Sequence, residues 1–424
     1  MRLSIDRAYS IIDWLLPVFF VLAFIELYFG LWRLTTIVKI VSILVSIFIT
    51  VKLYRTKPSS FKIFFSFFIF FNISTVVAYA FNGRDITCYI EDLMNYIPAM
   101  LFFYVGFFEH RFNRKFYKIF TISCVLSMLV GLILYITTPS WYVARQVEIA
   151  NKDAFGLYTA EQTMRELRFT SYLVSEYAVI FFSMFALPIS LFYYYYANER
   201  KSKIFYFFSI LILTFTCLIS MMRVAMVCSV LTLAFFIFRG FVKNKAYRSL
   251  IIITTSIILI GIIVAYIFVN FGERADILLF SLTDRMNEMS VSKAMGGRVS
   301  QTNLLMAEFV NIITGHGLGS AGPLALFAGK AGVTDAQYTK ILFETGIFGF
   351  GLFIYILIKS ALRGLKFLRY YLIELVILAF IMVSMLGANT LCLSYLYITP
   401  FWYALGMLWN DNYLQYLQKN RIYV

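Results

Sequence analysis

Charged side chains are scarce in this sequence. Lys, Arg, Asp and Glu make up 14% of the 424 residues, whereas a soluble domain carries about 25%. Hydrophobic residues make up 61% and aromatic residues 19%. This composition excludes a soluble globular protein, and the wealth of Phe and Tyr excludes a disordered chain, a collagen and a coiled coil. A polytopic membrane protein is the class that remains.

Metal ligands and cysteine pairs are scarce as well. The chain has five Cys and two His and contains no CxxC pair. These numbers argue against a structural zinc site and against a disulfide framework. The sequence also has no DxD motif and no convincing internal repeat of the kind common in transporters. We therefore predict no metal and no cofactor.

Long apolar runs dominate what is present. A transmembrane helix needs about 20 mostly apolar residues, and the sequence predicts an all-α polytopic integral membrane protein with about 12 transmembrane helices in a single transmembrane domain, residues 1–424. The first run follows a segment without a small-residue cleavage site, so it reads as a retained helix. The runs lie at roughly 14–31, 34–51, 63–81, 93–108, 118–137, 172–196, 204–219, 224–238, 250–270, 341–358, 370–388 and 391–409.

Basic residues are distributed unevenly between the two sides of these spans. The segments on the side of both termini hold 23 of the 37 Lys and Arg residues but only five of the 22 acids. By the positive-inside rule both termini are cytoplasmic. The net charge of +15 is thus a topology signal and does not indicate nucleic-acid binding. Two long segments remain outside, 138–171 and 271–340, and the second contains an amphipathic stretch over 299–313.

Arginines stand where these outer segments meet the membrane. Arg165 and Arg168 precede the sixth span, Arg223 lies in a tight turn after Ser220, and Arg298 follows two glycines. Arg offers a rigid fork of donors that suits phosphate. The alternatives are an interfacial anchor or an ion pair for the first two, a structural bridge from Arg223 to Glu176 or Glu344, and a flexible turn at 296–298.

A glycine run and two acids follow. Gly315, Gly317 and Gly319 alternate with His316 and Leu318, and Asp335 and Glu344 come next. The run does not follow a strand, so we reject a dinucleotide fold. On one continuous helix the two acids would point to opposite faces. Glu344 reads more readily as a helix-terminal cap or as the partner of an Arg than as a catalytic group, and Asp335 reads equally well as a solvated loop acid.

In this order the motifs resemble the O-antigen polymerase and O-antigen ligase superfamily of bacterial envelope proteins. The matching pieces are Arg168-Phe-Thr-Ser, the turn from Ser220 to Arg223, Gly297-Arg298, the glycine run, and Glu344-Thr-Gly346. Ligase-like members carry His-Asn nine residues before that Glu, where this chain has Asp335-Ala336. The departure favours a polymerase.

The resemblance implies a GT-C-like, metal-independent glycosyltransferase of the bacterial inner membrane. Its donor and acceptor would be undecaprenyl-diphosphate-linked oligosaccharides at the periplasmic face, with membrane lipid around it and a chain-length regulator as partner. Arg168, Arg223 and Arg298, with Arg165, would hold the diphosphate. Asp335 or His316 would act as general base with Glu344 beside it. Trp141 and Tyr338 are candidate glycan contacts, as are Tyr142 and Tyr158.

Three other functions are open at this point. An O-antigen ligase would share the motifs, and a lipid-linked oligosaccharide flippase or transporter often has a similar number of spans. A transporter tends to carry its ionisable groups near the midplane, where this sequence offers Glu26, Lys39 and Glu374. A purely structural scaffold would leave the outer arginines without a purpose.

Overall fold

The computed structural model describes most of the chain but leaves out most of the two long outer segments. The described residues are 4–30, 34–54, 61–83, 85–111, 114–150, 169, 171–173, 176–197, 199–220, 222–242, 246–255, 258, 261, 313–322, 336–386, 391 and 395–419.

Within these ranges the regular structure is α-helical and no strand occurs, which confirms the all-α prediction. Residues 246–255 are also helical. The helices are α1 Ile5–Phe29, α2 Leu34–Leu53, α3 Phe61–Asn82, α4 Ile86–Phe107, α5 Lys115–Thr137, α6 Ser140–Ala150, α7 Glu176–Tyr196, α8 Arg200–Ile219, α9 Arg223–Val242, α10 Gln337–Lys366, α11 Leu372–Ser384, α12 Tyr395–Leu408 and α13 Asp411–Lys419.

Seven of these helices are long and apolar enough to cross a membrane. They confirm a multi-pass membrane protein, while the number of twelve spans stays a prediction. Eleven of the twelve apolar runs overlap one of the helices named above. The run at 250–270 overlaps the helical residues 250–255 and lies mostly outside the described residues. Of the outer segment 138–171, the part 140–150 forms α6, and of 271–340 only 313–322 and 336–340 are described.

The contacts divide the chain into two compact units. The first comprises Met1–Leu15, Thr36–Lys115 and Val291–Val424. In it α4 packs along α12, and α10 packs against α3 and α11. A Cβ atom on Gly106 of α4 would collide with the carbonyl of Tyr403, and one on Gly406 of α12 would collide with the carbonyl of Phe103. Glycines on both helices thus permit a close backbone crossing.

The second unit comprises Leu16–Thr35 and Phe116–Ser290. Here α7 packs against α8 and α9. The core of this unit is aromatic: the ring of Phe182 meets the rings of Phe20 and Phe120 with centroids 4.7 and 6.5 Å apart. The backbone N–H of Phe169 donates to the carbonyl of Ile219 at 3.1 Å. This bond brings the chain that follows Arg168 beside the turn that precedes Arg223.

Candidate functional site

The glycine run forms a buried loop in the first unit. Gly315, Gly317 and Gly319 have φ angles of +82°, +83° and +74°, a region that side chains with a Cβ rarely adopt. A Cβ on Gly317 would lie 2.8 Å from the Cβ of Tyr79 on α3, and one on Gly319 would collide with the carbonyl of Cys88 on α4. The loop therefore fits tightly against the end of α3 and the start of α4.

A kink in α10 receives the other side of the loop. Gly346 has φ +68° and ψ −177°, a conformation open essentially only to glycine, and it interrupts the helix. In the turn before the kink, the carbonyl of Phe343 accepts from the backbone N–H of His316 at 3.0 Å, and that of Glu344 accepts from Gly317 at 2.9 Å. Loop amides thus satisfy backbone acceptors at the break.

Three ionisable side chains meet beneath this loop. The Nζ atom of Lys340 lies 2.5 Å from Oδ2 of Asp92 and 2.9 Å from Oε1 of Glu344. The backbone N–H of Gly319 donates to the same two oxygens, at 3.1 Å to Asp92 and 2.8 Å to Glu344. A weaker contact of 3.4 Å joins the N–H of Ala321 to Oε1 of Glu344. We call Asp92, Lys340 and Glu344 the buried triad.

The buried triad is sealed from solvent. The side chains of Asp92 and Glu344 are 0% exposed and that of Lys340 is 1% exposed. Lys340 and Glu344 stand four residues apart on α10, so they share one helix face. Asp92 lies in the second turn of α4. The helix ends involved, the last turn of α3 and the first turns of α4 and α10, are those that the charge pattern predicts on the outer side.

Of the predicted site residues, the structure brings Glu344 and His316 together in this region. Glu344 was expected at the start of the tenth span, as a helix-terminal cap or as the partner of an Arg. It lies inside α10 and its cationic partner is Lys340. His316 is 2% exposed, and its ring stacks on that of Phe343 with centroids 4.0 Å apart. A buried, stacked imidazole does not face a water-filled site.

The two aromatic candidates lie in different units. Tyr338 on α10 donates its hydroxyl to the carbonyl of Met382 at 3.0 Å. Trp141 on α6 is 48% exposed and packs edge-on against Tyr28 at 5.4 Å and Phe24 at 6.5 Å. These contacts account for the helix at 140–150 within a segment that the sequence predicts as a loop.

The arginine set is described only in part. Arg223 is the first residue of α9. Arg165, Arg168, Arg298 and Asp335 lie outside the described residues, as does Tyr158. Their roles therefore stay predictions.

Asp92 and Lys340 are the residues that the sequence analysis missed. Both were assigned to outer segments because they stand at the edges of apolar runs. In the structure they lie inside helices and are buried. The spacing of Lys340 and Glu344 was a usable signal, since an i, i+4 pair of opposite charge at the start of an apolar helix shares one face. Nothing in the sequence pairs Asp92 with residues some 250 positions later.

A second polar network lies at the opposite end of α4. The guanidinium of Arg111 bridges Asp13, with Nη1 to Oδ2 at 2.6 Å, and Glu109, with Nη2 to Oε2 at 2.9 Å. Tyr403 donates to Glu109 at 3.0 Å. The two carboxylates face one guanidinium that offers five donors, so most of their acceptor sites are filled. We interpret this network as a structural one that joins α1, the end of α4 and α12 at the predicted cytoplasmic side.

Within the described part of the chain, no group of three or more His, Cys, Asp or Glu side chains is placed to hold a metal ion. No family model, curated protein or solved structure matches this sequence significantly.

Proposed function

We propose that this protein is an integral-membrane glycosyltransferase that polymerises undecaprenyl-diphosphate-linked oligosaccharide units. The growing glycan leaves its carrier and is joined to a new lipid-linked unit at the periplasmic face of the bacterial inner membrane. The O-antigen ligase and the lipid-linked flippase are the alternatives. The proposal starts from the resemblance of the motifs to those of the O-antigen polymerase and O-antigen ligase superfamily.

The observation that carries the proposal is the contact between two of those motifs. The glycine run and Glu344-Thr-Gly346 are about 25 residues apart in sequence, yet they form one buried substructure through the bonds of His316 and Gly317 to α10. Motifs that merely matched by chance would have no reason to dock on each other. Their docking at the helix ends that are predicted to face outward supports an outer-face site.

A second observation concerns the arginines. The bond from Phe169 to Ile219 joins the segments next to Arg168 and Arg223, although these segments are about 50 residues apart. In the proposal Arg168, Arg223 and Arg298 bind the diphosphate, with Arg165 nearby. Guanidinium groups stabilise the charge that develops on a diphosphate leaving group without a metal ion.

The base in the proposal is Asp335, because it stands where ligase-like members carry a His. It takes the proton of the acceptor hydroxyl. His316 is the weaker candidate, since its ring is buried and stacked on Phe343. Glu344 acts through the loop it holds and has the role of a positioning residue.

The test is polymerisation in proteoliposomes with a defined lipid-linked repeat unit. Arg223→Ala and Arg298→Ala should each lower the rate about 10- to 100-fold, since each charge-assisted hydrogen bond is worth roughly 1.5–3 kcal/mol. Arg239→Ala is the matched control. Arg239 lies in the last turn of the same helix as Arg223, where it donates to Tyr196 at 3.0 Å, and its loss should leave the rate unchanged.

The glycans of a deletion strain separate the alternatives. Loss of long chains with one unit retained supports the polymerase. Loss of all capped glycan supports the ligase or the flippase. Full chain growth by both Arg223→Ala and Arg298→Ala would remove the diphosphate site from the mechanism.

A further inference from the structure

The buried triad holds two carboxylates and one ammonium. With all three groups ionised it carries a net charge of −1 in a place that is 0–1% exposed. Leaving one charge buried without a partner costs several kcal/mol, and a carboxylate in that position takes up a proton instead. The charge count alone thus indicates that one further positive charge is needed to make the buried triad neutral.

The hydrogen bonds indicate where this further positive charge binds. Lys340 and the amide of Gly319 both contact Oδ2 of Asp92 and Oε1 of Glu344. The second oxygen of each carboxyl group, Oδ1 of Asp92 and Oε2 of Glu344, has no hydrogen-bond partner among the described residues. Two bare carboxylate oxygens in a sealed site are unfavourable, because ionised carboxylates have about four acceptor sites to fill.

We propose that Asp92 and Glu344 together bind one proton, so that the buried triad consists of an ammonium, a carboxylate and a carboxylic acid. Lys340 approaches Asp92 at 2.5 Å and Glu344 at 2.9 Å. The closer approach assigns the charge to Asp92 and the proton to Oε2 of Glu344. The O–H bond at Oε2 forms as an O–H bond of a hydronium ion breaks, the electron pair of the broken bond stays on the water that leaves, and no oxidation state changes. The inference stands whether or not the protein is a glycosyltransferase.

The surroundings offer no competing charge near the triad among the described residues. The ring of Tyr96 lies 5.9 Å from Nζ of Lys340, and its hydroxyl accepts from Gln337 at 2.8 Å. On α11 Glu374 pairs with Arg114 at 3.6 Å, and on α12 Tyr403 donates to Glu109, both at the other end of the unit. The first turn of α12 also carries Tyr395 and Tyr397. The remaining titratable side chains of the loop, the end of α3 and the first turns of α4 and α10 are His316, Tyr79, Asp85, Cys88, Tyr89, Glu91 and Tyr338, of which Asp85 caps α4 and Glu91 is exposed.

The bound proton has a mechanical consequence. The glycine loop is fastened by amide donors to the two carboxyl groups and to the carbonyls at the kink. Removing the proton would leave two carboxylates, one on α4 and one on α10, in contact with the same Gly319 amide and the same ammonium. The repulsion between these like charges would oppose their shared contact with the loop.

Infrared difference spectroscopy of the intact protein in lipid nanodiscs at neutral pH tests the proposal. A neutral carboxylic acid has a carbonyl band that is separate from the carboxylate bands and shifts in heavy water. Glu344→Gln and Asp92→Asn should each lose one equivalent of this band, because the remaining carboxylate then pairs with Lys340 alone. Lys340→Met should gain one equivalent, since both carboxyl groups must then be neutral.

Asp411→Asn is the control. Asp411 pairs with Arg363 at 2.5 Å and its side chain is 29% exposed, so its loss should leave the band unchanged. Full band intensity in both Glu344→Gln and Asp92→Asn, or loss in only one of them, would overturn the shared proton. A wild-type band that appears only after sodium is removed would show a metal cation in place of the proton. If Lys340→Met does not fold, the band intensities of Glu344→Gln and Asp92→Asn still decide whether the two carboxyl groups share one proton.

Discussion

At the scale of single residues, the buried triad is a feature with large energetic consequences. A buried ion pair adds little net stability when it is compared with an apolar replacement, because both ions lose their hydration. Breaking such a pair from one side is costly, since the other charge stays buried. Lys340 serves two carboxyl groups at once, so it is the member whose loss matters most.

We predict that Lys340→Met lowers the free energy of unfolding by about 3–5 kcal/mol. Glu344→Gln keeps the shape and the acceptor oxygen of Glu344 and should leave stability close to that of the wild type. The triple variant Asp92→Asn, Lys340→Met, Glu344→Gln carries no charge in the triad and should recover most of the loss. Thermal melting in detergent measures all three, and a Lys340→Met protein as stable as the wild type would show that the triad is not an ionic unit.

At the scale of helices, glycine decides how closely two backbones approach. Gly106 and Gly406 face each other's helices, and a side chain at either position would collide with a main-chain carbonyl. Backbone cannot move aside as the end of a long side chain can, so α4 and α12 would have to separate. Gly351 on α10 is the contrast, because nothing lies within 4 Å of a Cβ built there.

We predict that Gly106→Ala and Gly406→Ala each lower the melting temperature clearly, whereas Gly351→Ala leaves it unchanged or raises it. The reason for the increase is that Ala restricts the unfolded chain and favours helix by up to about 1 kcal/mol over Gly. The three variants differ from the wild type by the same single methyl group. Equal melting temperatures for all three would refute the close crossing of α4 and α12.

At the scale of the whole molecule, the orientation in the membrane is the main prediction. The basic bias predicts both termini in the cytoplasm, which assigns α6 to the outside and the start of α8 to the inside. Ala144 and Lys201 are exposed positions on these two helices. Native Cys88, Cys124, Cys217 and Cys228 are buried and should give little background in a labelling experiment.

We predict that a membrane-impermeant maleimide labels Ala144→Cys in spheroplasts and spares Lys201→Cys until the membrane is permeabilised. The unsubstituted protein measures the background. Labelling of Lys201→Cys alone would show that the topology is the inverse of the predicted one. The glycine loop and the proposed diphosphate site would then lie on the cytoplasmic side, contrary to the proposed function.

The membrane class, the helical fold and the approximate course of the helices follow from the amino-acid sequence alone, because apolar runs of this length admit little else in lipid. The sequence also singled out the glycine run and Glu344. It did not join them to Asp92 and Lys340, whose contacts span up to 248 positions. The folded protein was needed to show that Glu344 shares its lysine partner with Asp92 inside a sealed site. Which distant groups share a buried place depends on how helices pack, and local sequence carries no record of that.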